Sequence, residues 1–430
     1  MPAWLNADEP GFGSDLERLL TQRSGSMQRV DAPVRAIIDD VIANGDEALL
    51  RYTRKFDRFD VTVATLRVTD AEIDAAMAVV PHATLQALEL AARRIEAFHA
   101  RHLPRDDSYT DETGALLGAR WTPIDAAGLY VPGGQAAYPS SVLMNAVPAR
   151  IAGVGRIVMV SPSPDGRMNP LVLAVARLAG VHEVYRVGGA QAVAALAWGT
   201  QTISPVDKIV GPGNAWVAEA KRQVFGRVGI DSIAGPSEVL IIADGKNNPD
   251  WIAADLLAQA EHDEDAQSLL VTDSEPFARS VAGAVDTLLT RLPRAAIARK
   301  SWDAHGGIII VSSLSKAGAI ANRVAPEHLQ ICTPDPAAIA ATVRHAGAIF
   351  LGATTPEAIG DYVGGPNHVL PTSGAARFSS GLSALDFMKR TTILSTPAGA
   401  LEAIGPSAAL MADAEGLDAH ALSVRVRLGS

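Results

Sequence analysis

The stretch RIVMVSPSPDGRMNPLVLAVARLAGVHEVYRV, residues 156–187, decides the fold. It holds two short β-branched runs, RIVMV at 156–160 and VYRV at 184–187, separated by a helical segment at 169–179. A helix-length segment between two buried runs is what a parallel strand pair requires, because its crossover has to carry the chain back along the sheet.

The pattern continues outward from there. KIV (208–210), EVLII (238–242), SLLVT (268–272), GIIIV (307–311), LQIC (329–332) and AIFL (348–351) read as strands. The segments 191–198, 214–225, 249–262, 275–291, 314–323 and 335–344 are long enough to be the helices between them. The fold class is therefore α/β, with two sheets or one large one. Upstream, Val34, Ile37, Ile38, Val41 and Ile42 recur at helical spacing, so the first hundred residues read mostly as helix, with a second such stretch from 70 to 101.

Two Gly/Pro-rich strips, GLYVPGGQAAYPS (128–140) and AGPSE (234–238), bracket three or four strand–helix units. This predicts a nested α/β domain over 128–236 inside a main α/β domain made of 25–127 and 237–381. Residues 1–24 read as an N-terminal arm and 382–430 as a C-terminal tail. The tail is too short to fold alone and has to pack on its own body or on a partner subunit.

Composition narrows the function classes. The chain has 430 residues, 48% hydrophobic and 20% charged, enough for a large core and for more than one domain. Its 37 basic against 47 acidic side chains leave a net charge of −10, and no Lys/Arg run is present, which argues against a nucleic-acid surface. The one cysteine, Cys332, cannot close an internal disulfide, so a cytoplasmic location is expected and any metal needs His, carboxylate or amide ligands. The N-terminus lacks a basic head followed by an apolar stretch, and no apolar run is long enough to span a bilayer, so neither export nor a membrane is expected.

Nucleotide fingerprints are absent: no G-x-G-x-x-G follows a strand and no G-x-x-x-x-G-K-[ST] occurs. Glycine clusters do follow strands at Gly133–Gly134, Gly188–Gly189 and Gly211–Pro212–Gly213, where backbone can approach a ligand or simply turn.

Four clusters carry candidate chemistry. In LLAQAEHDEDAQ (256–267), Asn248 and Pro249 start a helix, and Gln259 and His262 lie three apart on one face, able to point at a common ion. His99 and His102 share that spacing, but Arg93, Arg94 and Arg101 surround them, and this pair reads as a solvated helix face. In NRVAPEHLQI (322–331), Glu327 and His328 adjoin after Pro326. They offer two bases whose pKa values the surroundings can separate, provided an irregular turn lets both face one substrate. Asp361 and His368 occupy the Gly/Pro-broken loop of TTPEAIGDYVGGPNHVLPT (354–372), able to complete a metal site begun by Gln259 and His262. Glu415 and His420 come from the tail, in AEGLDAHALSVRV (414–426). Taken one at a time, each cluster also reads as ordinary surface.

The strings GLYVPGG, RVGGAQAVAALAWGT, VGPGNAWV, GPSEVLIIAD, LLAQAEHD, APEHL, GDYVGGPNHVLPT, ARFSSGL and EGLDAHA together resemble the histidinol dehydrogenase family, in its order and spacing, from about residue 25 to residue 427. The resemblance implies two Rossmann-like domains and oxidation of L-histidinol to L-histidine through the aldehyde, with two NAD+ reduced. It implies one Zn2+ per site, held by Gln259, His262, Asp361 and His420. It implies a homodimer in which the tail reaches across, so that His420 and Glu415 serve the other subunit's site. Glu327 is then the base that activates water, and His328 the base that takes protons from alcohol and hydrate. Ser237, His368 and Glu415, beside the metal ligands and His328, hold the substrate; Tyr130, Gln191 and Asn214 contact NAD. Three rivals stay open on the residues: a zinc and NAD enzyme for another small polar alcohol, a two-lobed binding protein, and a metal-dependent hydrolase.

Overall fold

The structure, a computed structural model, describes residues 1–21, 30–133 and 138–429; Gly134, second of the first glycine pair, lies outside them. In chain order the described strands are β1 (Ala3–Asn6), β2 (Asp107–Thr110), β3 (Leu116–Pro123), β4 (Ala126–Tyr130), β5 (Arg156–Ser161), β6 (Glu183–Arg186) and β7 (Lys208–Val210). They continue with β8 (Gly229–Ile230), β9 (Glu238–Ala243), β10 (Gln267–Thr272), β11 (Gly307–Ile310), β12 (His328–Cys332), β13 (Ala348–Leu351) and β14 (Met388–Ser395).

Two parallel sheets organise the chain. A six-stranded sheet runs β1-β11-β10-β9-β12-β13, and a five-stranded sheet runs β6-β5-β4-β7-β8. In each, the first strand of the α/β unit is central and later strands add to one side and then the other, the doubly wound order. All eight sequence-read runs are strands, and the α/β class with two parallel sheets stands. Every residue of β9 and β10 is buried, as a sheet covered on both faces requires. Val239 and Ile241 pack one way, onto helices Pro249–Ala260 and Glu275–Leu289, and Leu240 and Ile242 pack the other way, onto helix Ala317–Val324.

The structure departs from the sequence reading in three places. Of the N-terminal arm read over 1–24, the described residues 1–21 join the main body: β1 adds to the sheet edge, with Ala3 N–H donating to Gly306 O at 2.9 Å and Ala7 N–H to Ile310 O at 2.9 Å. Four residues alternating in burial carry too little pattern to read as a strand. The helices over 31–100, grouped from sequence with the six-stranded sheet, instead flank the five-stranded one, with Ile38 and Leu49 on one face and Ile95 on the other. A third, antiparallel sheet, β14-β3-β2, was not foreseen; it pairs the start of the tail, Met388–Ser395, along Leu116–Pro123.

Beyond β14 the tail is a helical hairpin, Ala398–Ala414 and Asp418–Leu428, whose two helices pack on each other. Leu410, Met411, Leu422 and Val426 on it are exposed. Among the described residues no single helix is long and apolar enough to cross a membrane.

Candidate active site

The site is assembled where β9 and β12 begin. Helix Ala317–Val324 ends on Ala325, which takes a left-handed φ of 50° and turns the chain into Pro326. This is the irregular turn the Glu327–His328 pair needed. Glu327 precedes β12 and His328 opens it, and both line one cavity. They are fixed by the backbone of Glu238, first residue of β9. Its N–H donates to Glu327 Oε2 at 2.9 Å, and its carbonyl faces His328 Nδ1 at 3.0 Å. The two side chains lie 3.6 Å apart, Nδ1 to Oε2.

A second layer closes on the same point. Helix Pro249–Ala260 starts at its Asn248 cap as read, but stops before His262, whose N–H reaches back to Gln259 O at 3.2 Å. With its amide set to satisfy both neighbours, Gln259 accepts from Glu238 N at 2.7 Å and donates to Glu357 Oε1 at 2.7 Å. Asp361, four residues after Glu357, brings Oδ1 to 3.8 Å from His328 Nε2, and His368 Nδ1 donates to Asp361 O at 2.9 Å. Ser237, Gln259, His262, Glu327, His328, Asp361 and His368 all line the cavity, whose volume is about 530 Å³.

Burial sets the charges here. It pushes the Asp361 carboxyl up to about 6 and holds His328 and His368 down at about 4, so at neutral pH both imidazoles are neutral and have a lone pair to offer. His262 is lowered for the same reason, and then by Arg294. Glu357 is raised well above the usual carboxylate range, by burial first and then by Asp361, Glu327 and Asp255. A nest of buried carboxylates beside neutral imidazoles is an environment that a cation relieves.

For a metal, the donors present are the Gln259 amide, the His262 imidazole and the Asp361 carboxylate, a mixed N/O set suited to zinc or a neighbouring divalent ion. Among the described residues no three His, Cys, Asp or Glu side chains form a metal cluster by themselves. His420 and Glu415 are exposed on the tail and are not part of the cavity lining. This chain therefore brings three of the four expected ligands together and holds the fourth elsewhere.

The far wall belongs to the other sheet. Residues 211–214 follow β7 and meet the cavity at the carboxyl edge of the five-stranded sheet, beside β4, where the strand order reverses. Open α/β sheets bind ligands at that point. Asn214 faces the cavity and caps helix Ala215–Val224, its side chain accepting from Trp216 N at 3.1 Å and Val217 N at 3.2 Å. Tyr130 ends β4, with its hydroxyl accepting from Gly189 N at 3.0 Å, and Gln191 lies buried in helix Gly189–Trp198, which Gly189 opens. Tyr130 and Gln191 sit at the same edge but outside the cavity lining.

Two participants went unread in the sequence. Glu357 carries one signal, its i, i+4 spacing to Asp361 on helix Glu357–Tyr362. Glu238 works through its backbone, which no side-chain motif reports. The pair His99 and His102 also needs correcting: His99 is 1% exposed, because it follows Ala91 and Ile95 on the buried face of helix His82–Ala100.

An acid–imidazole pair and a set of metal-competent donors on one wall, with a strand-edge glycine turn on the other, define an α/β enzyme working in the cleft between two sheets. The histidinol dehydrogenase family profile matches residues 20–428. Histidinol dehydrogenase from Nitrobacter winogradskyi is 62% identical over 428 residues, covering all of both chains. That from Rhodospirillum rubrum is 61% identical over 429 residues, covering 100% of this chain and 99% of its own. The crystal structure of histidinol dehydrogenase from Elizabethkingia anophelis superposes with a TM-score of 0.93 at 38% identity, over 100% of this chain and 98% of that one. The chain belongs to the histidinol dehydrogenase family, and it is an oxidoreductase.

Proposed function

We propose that this chain oxidises L-histidinol to L-histidine through the bound aldehyde, reducing two NAD+, in the cytoplasm and as a homodimer with one Zn2+ in each site. The observation that carries the reading is the convergence of Gln259, His262, Glu327, His328 and Asp361 on one cavity whose opposite wall is the glycine turn 211–214.

Gln259, His262 and Asp361, together with His420 of the partner subunit, would hold the zinc, which when bound would supply a Lewis acid for orienting a substrate that carries both an amine and an imidazole. Tyr130, Gln191 and Asn214 would hold NAD+, which when bound would supply the hydride acceptor for each oxidation. Ser237, His368 and Glu415 of the partner subunit position the amino alcohol.

His328 handles the protons of oxidation. Its Nδ1 faces a carbonyl that can only accept, so Nδ1 carries the proton and Nε2 is the basic atom, at the cavity. In the first oxidation Nε2 takes the hydroxyl proton as the carbinol carbon gives up its hydride. Glu327 then takes a proton from water as the water adds to the aldehyde carbon, while Nε2 returns its proton to the aldehyde oxygen, giving the hydrate and leaving Nε2 again a free base. In the second oxidation Nε2 takes a hydrate proton as the carbon loses its second hydride and becomes the carboxylic acid. The balance is one alcohol, one water and two NAD+ to one carboxylate, two NADH and three protons. Enclosure by the two sheets keeps the amino aldehyde from side reactions between the steps.

The exposed apolar face of the tail hairpin supports the dimer, since Leu410, Met411, Leu422 and Val426 find cover on a second copy that receives His420 and Glu415. The test is NADH formation by the purified, zinc-loaded protein with histidinol and with a panel of small alcohols. Histidinol as the preferred substrate supports the reading. Preference for another alcohol, or no NADH from any, contradicts it.

A further inference from the structure

A buried ion pair lies behind the glycine turn. Lys221 Nζ and an Asp231 carboxylate oxygen are in direct contact, with side chains only 2% and 5% exposed. Between them they hold both main-chain polar groups of Gly211: Lys221 Nζ donates to Gly211 O at 3.0 Å, and Gly211 N–H donates to Asp231 Oδ2 at 2.7 Å. Asp231 Oδ1 also accepts from Ser232 N at 2.6 Å. Gly211 has φ +112° and sits so close to Tyr130 that a Cβ would collide with the Tyr130 carbonyl oxygen. Lys221 and Asp231 both reach the cavity lining, next to Asn214 and Gly213.

Burying two charges is a poor way to gain stability, because apolar residues of the same volume usually serve as well or better. What this pair adds is position. Lys221 stands on the helix that Asn214 caps, and Asp231 opens the connection that leads to Ser237, so the two charges tie the turn 211–214 to both walls of the cleft. We propose that Lys221 and Asp231 are positioning residues for the dinucleotide: they clamp Gly211 against Tyr130 so that the turn and Asn214 present a fixed surface to it. The inference rests on the reading that this wall takes NAD.

The experiment compares the zinc-loaded wild type with Lys221→Met and with the double variant Lys221→Met/Asp231→Leu. It measures NADH affinity by fluorescence titration, KM for NAD+ and for histidinol, kcat, and melting temperature. Lys221→Met leaves a buried carboxylate uncompensated and is expected to melt lower, whereas the double variant removes both charges and recovers most of that loss. In both variants NADH affinity falls, and KM for NAD+ rises, by about tenfold or more, as expected for losing hydrogen bonds to charged groups. At saturating NAD+, kcat and KM for histidinol stay within about twofold of wild type. If the double variant regains dinucleotide affinity along with its melting temperature, or if Lys221→Met binds NADH like the wild type, the positioning role is overturned. Wild-type protein that binds no NADH would overturn the underlying reading of the wall, a result distinct from both.

Discussion

The imidazole Nδ1 of His328 and the carbonyl oxygen of Glu238 lie 3.0 Å apart, and this one contact fixes the chemistry of the ring. A carbonyl cannot donate, so the proton sits on Nδ1 and the lone pair on Nε2. Among the described residues Nε2 has no hydrogen-bond partner of its own, and it looks toward Asp361 Oδ1 at 3.8 Å. A ring held in this tautomer, with its pKa depressed to about 4 by burial, stays a free base throughout the neutral range.

Glu327→Gln and His328→Asn are therefore expected to lower kcat by about 10²–10⁴-fold, the usual worth of a general base, with the melting temperature and zinc content little changed. Steady-state kinetics beside metal analysis check this. Near-normal turnover in either variant removes that residue's role.

Sharing of the site between subunits predicts complementation. His420→Asn loses zinc and activity together, as Glu327→Gln loses activity alone. Mixed under conditions where subunits exchange, the two inactive variants form hybrid dimers in which one site has both an intact Glu327 and the partner's His420. Activity regained on mixing is the expected result; no recovery despite demonstrated exchange contradicts the shared site.

Chelation predicts loss of turnover, with recovery on adding Zn2+. Glu357→Leu probes the layer behind the proposed ligands, since Glu357 accepts from the Gln259 amide at 2.7 Å and so holds its orientation. Such supporting contacts are worth about 10–100-fold in metal affinity. Competition with a chromogenic chelator measures it, and an affinity equal to wild type shows that Gln259 needs no such support.

His99 predicts a pH-dependent stability away from the site. Burial lowers its pKa from the ordinary 6.5 to about 4, and among the described residues neither ring nitrogen has a hydrogen-bond partner. Between those values the unfolded chain binds the extra proton. Its contribution is therefore complete above about pH 6.5 and is lost as the pH falls toward 4. His99→Leu is expected to flatten that part of the stability profile, read from denaturant midpoints across the range. An unchanged slope would show that other groups set it.

Much of this was legible in the sequence because it is written in contiguous patterns. Parallel strands buried on both faces read as apolar runs, so β5 to β7 and β9 to β13 were visible; β8, a strand of two residues, was not, and neither was β4, whose Ala-Ala-Gly start and Gly/Pro-rich continuation carry no β-branched run. Glu327 and His328, adjacent in the chain, were equally plain. What stayed hidden depends on distant pairing: β1 is four residues made a strand by β11, and β14 exists through its ladder with β3. The Lys221–Asp231 clamp joins residues ten apart across a helix end, and the Glu238 hub acts through main-chain atoms any residue would supply. His99 was misread because charge counting around it, with Arg93, Arg94 and Arg101 nearby, outweighed the 91, 95, 99 spacing that places it inside.

The central claim is a four-electron oxidation in one site, and its most direct test counts NADH formed against histidinol consumed by the zinc-loaded protein. Two NADH for each histidinol, with histidine as the sole product, is the predicted result. One NADH for each, with the aldehyde released and accumulating in solution, would contradict it.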